Sequence, residues 1–247
     1  MFGEGFLSLV TNKDAFDLIF PRNCLHCGDI VPEQSKLLYL CPDCLREIEL
    51  FKPPSCRTCG FPFYGIVVGS RSCPHCKELD PTYNMGRTIC RLDGPMRGLV
   101  HALKYRAGSF VLSDIVDIAF MATGIEEFLN ESILVPVPLH PIRQWKRTFN
   151  QCELIAEELA ERVSSCKVQS LLRRTRWTGS QTRLSREERC RNMQDAFDLK
   201  RGISLNPDTR YVVVDDVFTT GSTLNACCSV LRRFGATNLD ILALGHG

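Results

Sequence analysis

One stretch of the sequence, residues 212–226, carries residue types that could bind a phosphorylated ligand. It reads VVVDDVFTTGSTLNA. Three β-branched valines predict a buried strand, two adjacent carboxylates stand at its end, and a polar turn with one glycine leads into a helical pattern. The chemistry that we predict for the chain depends on this order of strand, acidic pair, turn and helix.

The turn between the strand and the helix predicts an anion site. The first N–H groups of a helix lack partners within the helix, and the positive end of the helix dipole attracts negative charge. A glycine lets the backbone pass close to the ligand, and the flanking hydroxyl groups are additional donors. The residues concerned are Thr219, Thr220, Gly221, Ser222 and Thr223.

The two acids, Asp215 and Asp216, predict the rest of the ligand. Carboxylates repel a phosphate, but they accept hydrogen bonds from vicinal hydroxyl groups or help to hold a hydrated metal ion. A diol next to a phosphate is found in ribose 5-phosphate. The alternative, an ordinary N-cap at Ser222 or Thr219, leaves two carboxylates without partners at the end of a buried strand.

Eight of the 14 cysteines form four C-x2-C pairs, and the flanking residues repeat as well: CLHCG and CPDC return 32 positions later as CRTCG and CPHC. Two such pairs complete a tetrahedral sulfur shell around Zn²⁺, so this duplication predicts two zinc sites. Four cysteines leave no open coordination position, which indicates structural sites. The ligands are Cys24, Cys27, Cys41, Cys44, Cys56, Cys59, Cys73 and Cys76.

Disulfides and a redox C-x2-C motif are weaker explanations of this pattern, because no signal peptide is evident and a redox motif does not occur four times. The spacing allows either sequential or cross-braced pairing, with His26 and His75 surplus to the ligand count. The other cysteines have no shared spacing, and we predict that they are small core residues. They are Cys90, Cys152, Cys166, Cys190, Cys227 and Cys228.

The composition of the 247 residues, 44% hydrophobic and 23% charged, is that of a globular protein with a substantial core. No apolar run approaches the roughly 20 residues that span a bilayer, which predicts a cytoplasmic protein without a membrane span. We interpret residues 1–22 as an amphipathic helix. A membrane-surface helix is the alternative, but its polar face lacks the expected richness in Lys and Arg.

Helical and strand patterns alternate after the cysteine repeats, which predicts a parallel sheet covered on both faces, with ligands at the carboxyl ends of the strands. We therefore predict three units: residues 1–22, a double zinc ribbon at 23–85, and an α/β domain at 86–247. The predicted strands are 88–92 at an edge, 133–139, a weak one at 168–172, 210–217 and 238–244. The predicted helices are 96–106, 110–122, 149–163 capped by Asn150 or Thr148, and 222–234.

The strand, acidic pair and TTGST turn resemble the 5-phosphoribosyl 1-pyrophosphate (PRPP) loop of type I phosphoribosyltransferases. With the cysteine repeats in front, the chain is similar to the ComF family of competence-associated proteins. Three further stretches carry the resemblance: HALKYR at 101–106, LVPVPLHPIRQWKRTFNQ at 134–151 and QTRLSREERCRNMQDAF at 181–197. Thr148 and Asp195 stand where the family usually has glycine.

The resemblance implies a type I phosphoribosyltransferase fold preceded by a small double zinc-ribbon domain. It assigns Asp215 and Asp216 to the ribose hydroxyls, residues 219–223 to the 5-phosphate, and Mg²⁺ to the bound PRPP. It also implies a pyrophosphate loop with Arg143, Lys146 and Arg147, of which Arg147 joins the two acids as a catalytic residue. The flexible loop over the substrate would include Gln181, Arg183 and Arg189.

Two classes of function follow. The first is a phosphoribosyltransferase with an unknown nitrogenous acceptor. Catalysis would then depend on stabilising the charges that develop on the sugar and on the departing pyrophosphate. His101, His140 and His246 are isolated, and none is a convincing general base. The second is a non-catalytic PRPP-sensing or single-stranded-DNA-binding accessory protein in DNA uptake, which docks a helicase or DNA-processing partner. Residues 140–201 hold 14 Lys/Arg against 8 Asp/Glu, a surplus of six that favours DNA contact there.

Overall fold

The computed structural model describes residues 22–64, 72–76, 79–105, 108–139, 149–175 and 196–247, except for the side chain of His75. Apart from residue 22, the predicted N-terminal helix lies outside these ranges. The same holds for the predicted basic turn at 140–148 and for most of the polar stretch that begins at residue 173.

A five-stranded parallel sheet forms the centre of the α/β domain. In chain order its strands are β1 (Met85–Arg91), β2 (Ser132–Pro136), β3 (Lys167–Val168), β6 (Arg210–Phe218) and β7 (Asn238–His246). The spatial order is β1-β7-β6-β2-β3, and a separate antiparallel pair joins β4 (Leu172–Arg174) to β5 (Phe197–Leu199). The predicted parallel sheet is thus confirmed, with β1 at its edge and β6 at its centre.

Six α-helices lie in the described residues: α1 (Pro42–Glu47), α2 (Gly94–Tyr105), α3 (Leu112–Phe120), α4 (Ile125–Leu129), α5 (Gln151–Arg162) and α6 (Ser222–Arg233). Asn150 caps α5, since its side-chain oxygen accepts the N–H of Cys152 at 3.1 Å. The predicted helix at 110–122 is divided into a 3-10 turn, Ser109–Val111, and α3. None of the helices described is long and apolar enough to cross a membrane.

Buried side chains cover both faces of the sheet, which explains the continuous apolar run of β6. Val212 and Val214 pack with α2, α3 and α5 on one face. Tyr211 and Val213 pack with α6, the β4–β5 pair and the second set of zinc-ligand cysteines on the other. A strand that is buried on both sides has no polar alternation, as the sequence of β6 shows.

The second cysteine repeat packs backbone to backbone against β1. A Cβ on Gly60 would lie 2.5 Å from the Thr88 nitrogen, and one on Gly86 would lie 2.1 Å from the Thr58 carbonyl oxygen. Thr88 Oγ1 also donates to the Cys59 carbonyl at 2.6 Å. The repeat therefore covers the edge strand of the sheet, and neither glycine can be replaced without separating the two.

The first cysteine repeat packs on the helices. Both carboxylate oxygens of Asp114, a buried residue of α3, accept backbone N–H groups: those of Leu38 at 2.9 Å and Tyr39 at 2.7 Å. The Tyr39 ring makes an edge contact with Phe110, with centroids 4.7 Å apart. Burial raises the pKa of Asp114. The two repeats are thus anchored to different parts of the α/β domain.

Candidate functional site

The acidic pair lies at the carboxyl end of β6, the central strand of the sheet, between β2 and β7. Asp216 is buried and Asp215 is partly buried. Parallel α/β sheets bind their ligands at this edge. The structure therefore places the two predicted carboxylates where a ligand could reach them.

Asp215 interacts with the start of α5. Its Oδ1 accepts the Cys152 thiol at 3.3 Å and the N–H of Asp216 at 2.9 Å. Asn150 Nδ2 donates to the Val137 carbonyl at 3.1 Å, which ties the start of α5 to the end of β2. Burial, and then the charges of the two acids, raise the pKa of Cys152 well above its usual value, so it is a neutral donor.

The Asp215 carboxyl group is held partly neutral by its surroundings. Burial, followed by the negative charge of Asp216, raises its pKa to about 8. Near neutral pH the Asp215 carboxyl group is therefore protonated for much of the time.

Asp216 forms an ion pair with Lys104, whose ammonium group reaches it from the last turn of α2. The Lys104 side chain is 21% exposed and that of Asp216 is 8% exposed. Lys104 belongs to the HALKYR stretch that supports the family resemblance, but no local pattern marks it as a site residue. The structure adds it to the site.

The polar turn requires its glycine. Gly221 has φ +74°, and a Cβ there would lie 2.7 Å from Phe218 Cζ and 2.8 Å from Leu79 Cδ2. Thr220 Oγ1 and Ser222 Oγ are 2.8 Å apart, while Thr219 is exposed. The turn thus carries its hydroxyl groups shortly after the two carboxylates in the chain.

Gly221 occupies the N-cap position of α6, and no side-chain capping hydrogen bond is made there. The alternative of an ordinary Ser or Thr N-cap at this position is therefore wrong. The first helical hydrogen bond runs from Asn225 N to Gly221 O at 2.9 Å, and Ser222 N makes a long contact with Thr220 Oγ1, 3.4 Å. The start of α6 can accept an anion beside the two acids.

These acids could also hold a cation. One ligand atom each from Cys152, Asp215 and Asp216 lies within 4.8 Å of the others. Mg²⁺ prefers oxygen ligands and keeps several waters, so the two carboxylates would be its protein ligands and the neutral thiol only a neighbour. The donor set therefore fits Mg²⁺ that is held together with a phosphorylated ligand.

The eight paired cysteines form two four-sulfur clusters, Cys24/27/41/44 and Cys56/59/73/76. The Cys27 and Cys41 sulfurs are 3.7 Å apart, and those of Cys59 and Cys73 are 3.5 Å apart. Thiolates bound at 2.3 Å to one tetrahedral zinc ion are separated by about 3.8 Å. Both clusters therefore fit structural zinc, and the ligands pair sequentially within each repeat.

The knuckles have the conformation that the glycines after them predict. Gly28 has φ +84° and Gly60 has φ +79°, each directly after the second cysteine of its pair. Burial raises the pKa of Cys44, which means that its thiolate is unfavourable there without a counter-charge. A bound cation would supply that charge for all four sulfurs of the cluster. Of the unpaired cysteines, Cys190 lies outside the described residues and the others are buried as predicted, although Cys152 also contacts the acidic pair.

Several predicted residues lie outside the described part of the chain. They are Arg143, Lys146 and Arg147 of the expected pyrophosphate loop, Gln181, Arg183 and Arg189 of the expected flexible loop, and His140. Of the other two histidines that were considered as general bases, His101 is exposed beside Tyr105, and His246 is buried between Phe61 and Phe218.

Comparison with known proteins identifies both parts of the chain. A family described as "Double zinc ribbon domain" matches residues 15–77. "Competence protein F" of Haemophilus influenzae is 27% identical over 232 residues, 92% of this chain and 98% of that protein. "DNA utilization protein YhgH" of Salmonella typhimurium is 30% identical over 212 residues, 83% and 89% of the two chains. The chain belongs to the ComF family. A further ComF relative is "Competence protein ComFC" of Streptococcus pneumoniae, 25% identical over 234 residues, 90% and 98% of the chains.

The ComF assignment is confirmed, and so is the predicted order of the chain, in which an α/β domain with a parallel sheet follows a double zinc ribbon. A solved hypoxanthine phosphoribosyltransferase from Staphylococcus aureus is 12% identical, with 55% of this chain and 62% of that one aligned. The TM-score of this alignment is 0.33.

Proposed function

We propose that the chain binds PRPP or ribose 5-phosphate, with Mg²⁺, at the carboxyl end of β6. The observation that carries this proposal is the juxtaposition of an acidic pair, Asp215 and Asp216, with an uncapped helix start at Gly221 on one continuous turn. An acidic pair alone would suit many cations, and a helix start alone would suit many anions. Together they suit a sugar that carries a phosphate.

Each part of the ligand has a matching group. The N–H groups at the start of α6 and the hydroxyls of residues 219–223 would bind the 5-phosphate. Asp215 and Asp216 would accept the ribose hydroxyls. Lys104, already beside Asp216, would lie near the sugar and its negative substituents.

The reaction class that we propose is phosphoribosyl transfer to a nitrogenous acceptor, with release of pyrophosphate. Mg²⁺, when bound, would stabilise negative charge on the pyrophosphate. Arg143, Lys146 and Arg147 would bind the same group, and a closed loop with Gln181, Arg183 and Arg189 would exclude water from the oxocarbenium-like sugar. The acceptor itself would supply the nucleophile.

Titration calorimetry with PRPP and Mg²⁺ tests the binding proposal. In the double variant D215N/D216N, the loss of both carboxyl groups should weaken binding by about 100-fold or more. D208N, in the exposed turn before β6, is the matched control and should bind as the wild type does. Absence of PRPP binding by the folded wild-type protein at any Mg²⁺ concentration would overturn the proposal.

DNA handling is a second candidate, favoured by relatives that are named for competence and DNA utilization. In this case the protein would be a non-catalytic accessory that senses PRPP or binds single-stranded DNA and docks a helicase or DNA-processing partner. Pyrophosphate release from PRPP with ammonia or simple amines as acceptors separates the two classes. Release that D215N/D216N abolishes supports the transferase, whereas PRPP binding without release supports the accessory protein.

A further inference from the structure

The second cysteine repeat contacts the turn that we assign to the phosphate. The phosphate loop is residues 217–223, the second ribbon is the described residues 55–64 and 72–76, and the linker is residues 79–84. Three separate sets of contacts join the second ribbon to the phosphate loop and to the first turn of α6.

The first connection runs through the linker to the glycine of the loop. The backbone N–H of Leu79 donates to the carbonyl of Cys76, a zinc ligand, at 3.1 Å. Leu79 Cδ2 lies 2.8 Å from the point where a Cβ on Gly221 would be. The last cysteine of the cluster is therefore only one side chain away from the tightest point of the phosphate loop.

The second connection is a clamp made by Asn225, in the first turn of α6. Its Oδ1 accepts the N–H of Thr82 at 2.8 Å, and its Nδ2 donates to the Asp80 carbonyl at 2.9 Å. Its backbone N–H makes the first helical bond to Gly221. One residue thus joins the linker to the start of the helix.

The third connection is a row of rings. Phe61 lies two residues after the zinc ligand Cys59, and its ring centroid is 4.9 Å from that of His246. His246 stacks on Phe218 at 5.2 Å, and Phe218 is a buried residue of the phosphate loop. The first cysteine repeat is attached at a different place, because Asp114 fixes it to α3.

We infer that the second zinc centre, and not the first, holds the phosphate loop in its binding conformation, with Leu79 and Asn225 as positioning residues. The inference rests on the proposed function for its ligand, but the contacts themselves do not depend on that ligand. Without zinc, nothing would hold the four buried cysteines at one point, and the linker would lose its anchor at Cys76. The loop would then sample other conformations before it met a phosphate.

Hydrogen exchange of the amides at 217–226 tests this inference without any ligand. In C76S the zinc content should fall from about two to about one per chain, and exchange of the loop should rise about tenfold or more. C24S should also lose one zinc, but loop exchange should remain at the wild-type rate. Equal loop exchange in the two variants, whether both rise or neither does, would overturn the inference.

C76S could change loop exchange simply by unfolding, so two variants that keep all eight cysteines test the same contacts. L79A and N225A should retain two zinc ions per chain, speed exchange of the loop and weaken PRPP binding by about tenfold. L38A, at a partly exposed leucine of the first repeat, is the control and should change neither. If the loop amides of both L79A and N225A exchange at the wild-type rate, the two residues have no positioning role.

The two proposals can fail separately. If the wild type binds no PRPP while loop exchange still depends on the second zinc centre, the ligand assignment is wrong and the positioning inference holds. If PRPP binds equally well to the wild type, L79A and N225A, the ligand assignment holds and the positioning inference is wrong.

Discussion

Lys104 at the end of α2 forms an ion pair with Asp216 at the end of β6. The pair joins a helix on one face of the sheet to the central strand, and it neutralises one of the two acids before any ligand arrives. Asp215, which contacts the Cys152 thiol, keeps a proton up to a pH near its pKa of about 8. The site is therefore close to electrically neutral when no ligand is bound.

We expect K104M to reduce the free energy of unfolding by about 1–3 kcal/mol, because Asp216 would be left buried without its counter-charge. A double-mutant cycle with D216N, measured by urea denaturation, isolates the pair. The K104M/D216N protein should recover about 1 kcal/mol or more relative to the sum of the single variants. K104R keeps the charge and is the control; strictly additive effects would show that the pair contributes nothing.

The raised pKa of Asp215 predicts a pH-dependent stability. Between its ordinary pKa of 3.8 and about 8, the folded state binds a proton that the unfolded state has released, so the stability due to this group is complete below pH 4 and is lost as the pH rises through 8. D215N cannot titrate. Its unfolding free energy relative to the wild type should therefore increase with pH, with a slope of at most about 1.4 kcal/mol per pH unit.

Urea denaturation of both proteins at several pH values from 5 to 8 measures this difference. The groups that face Asp215 are Asp216, Cys152 and Lys104, and all three are present in both proteins. Titration elsewhere, including at the zinc-ligand cysteines, cancels in the comparison. Parallel stability profiles for wild type and D215N would contradict the prediction.

D114A should release the first repeat from α3. The change leaves the N–H groups of Leu38 and Tyr39 without their acceptor at a partly buried contact, which costs about 2–4 kcal/mol. D117A is a matched control on the same helix, since Asp117 makes an ion pair with Arg162 nearer the surface. Its loss should cost less than about 1 kcal/mol. Thermal unfolding distinguishes the two, and equal losses would show that Asp114 does not anchor the repeat.

The sequence predicted those features whose parts are adjacent in the chain. The zinc clusters follow from pairs of cysteines on tight turns, and the TTGST turn follows directly from its strand. Cys152 and Lys104 were missed because they come from α5 and α2, distant from Asp215 along the chain. One signal was available for Cys152: a helix that starts after β2 must begin near the carboxyl end of β6, its neighbour in the sheet.

Local patterns also failed where tertiary packing decides the structure. The residues of β5, Phe197–Leu199, follow a long polar stretch and showed no strand pattern of their own; their pairing with β4 and packing with α6 make them a strand. The predicted helix at 110–122 is shorter because its start tightens into a 3-10 turn, with Val111 buried and its N–H bonded to the Gly108 carbonyl at 3.2 Å. The contact of Leu79 with Gly221 has no sequence signal at all.

Single-stranded DNA, if the protein binds it, should contact the basic part of the α/β domain. Residues 140–201 have a surplus of six positive charges (14 against 8), whereas residues 1–85 have 8 Lys/Arg against 10 Asp/Glu, a deficit of two. Binding through phosphates weakens as salt rises, with a slope in log K of about 0.7 per phosphate contact on single strands. R143A/R147A should therefore lower both the affinity and, by about 1.4, this slope.

K36A/K52A removes the same charge from exposed lysines of the cysteine repeats and is the matched control, with no expected change in the slope. Fluorescence anisotropy with a labelled oligonucleotide, measured on the full chain at several salt concentrations, gives both values. Because Arg143 and Arg147 are also the expected pyrophosphate ligands, PRPP with Mg²⁺ should compete with the oligonucleotide in the wild type. If K36A/K52A loses as much affinity as R143A/R147A, the DNA surface lies on the zinc ribbons. If PRPP does not compete, the DNA surface is separate from the PRPP site.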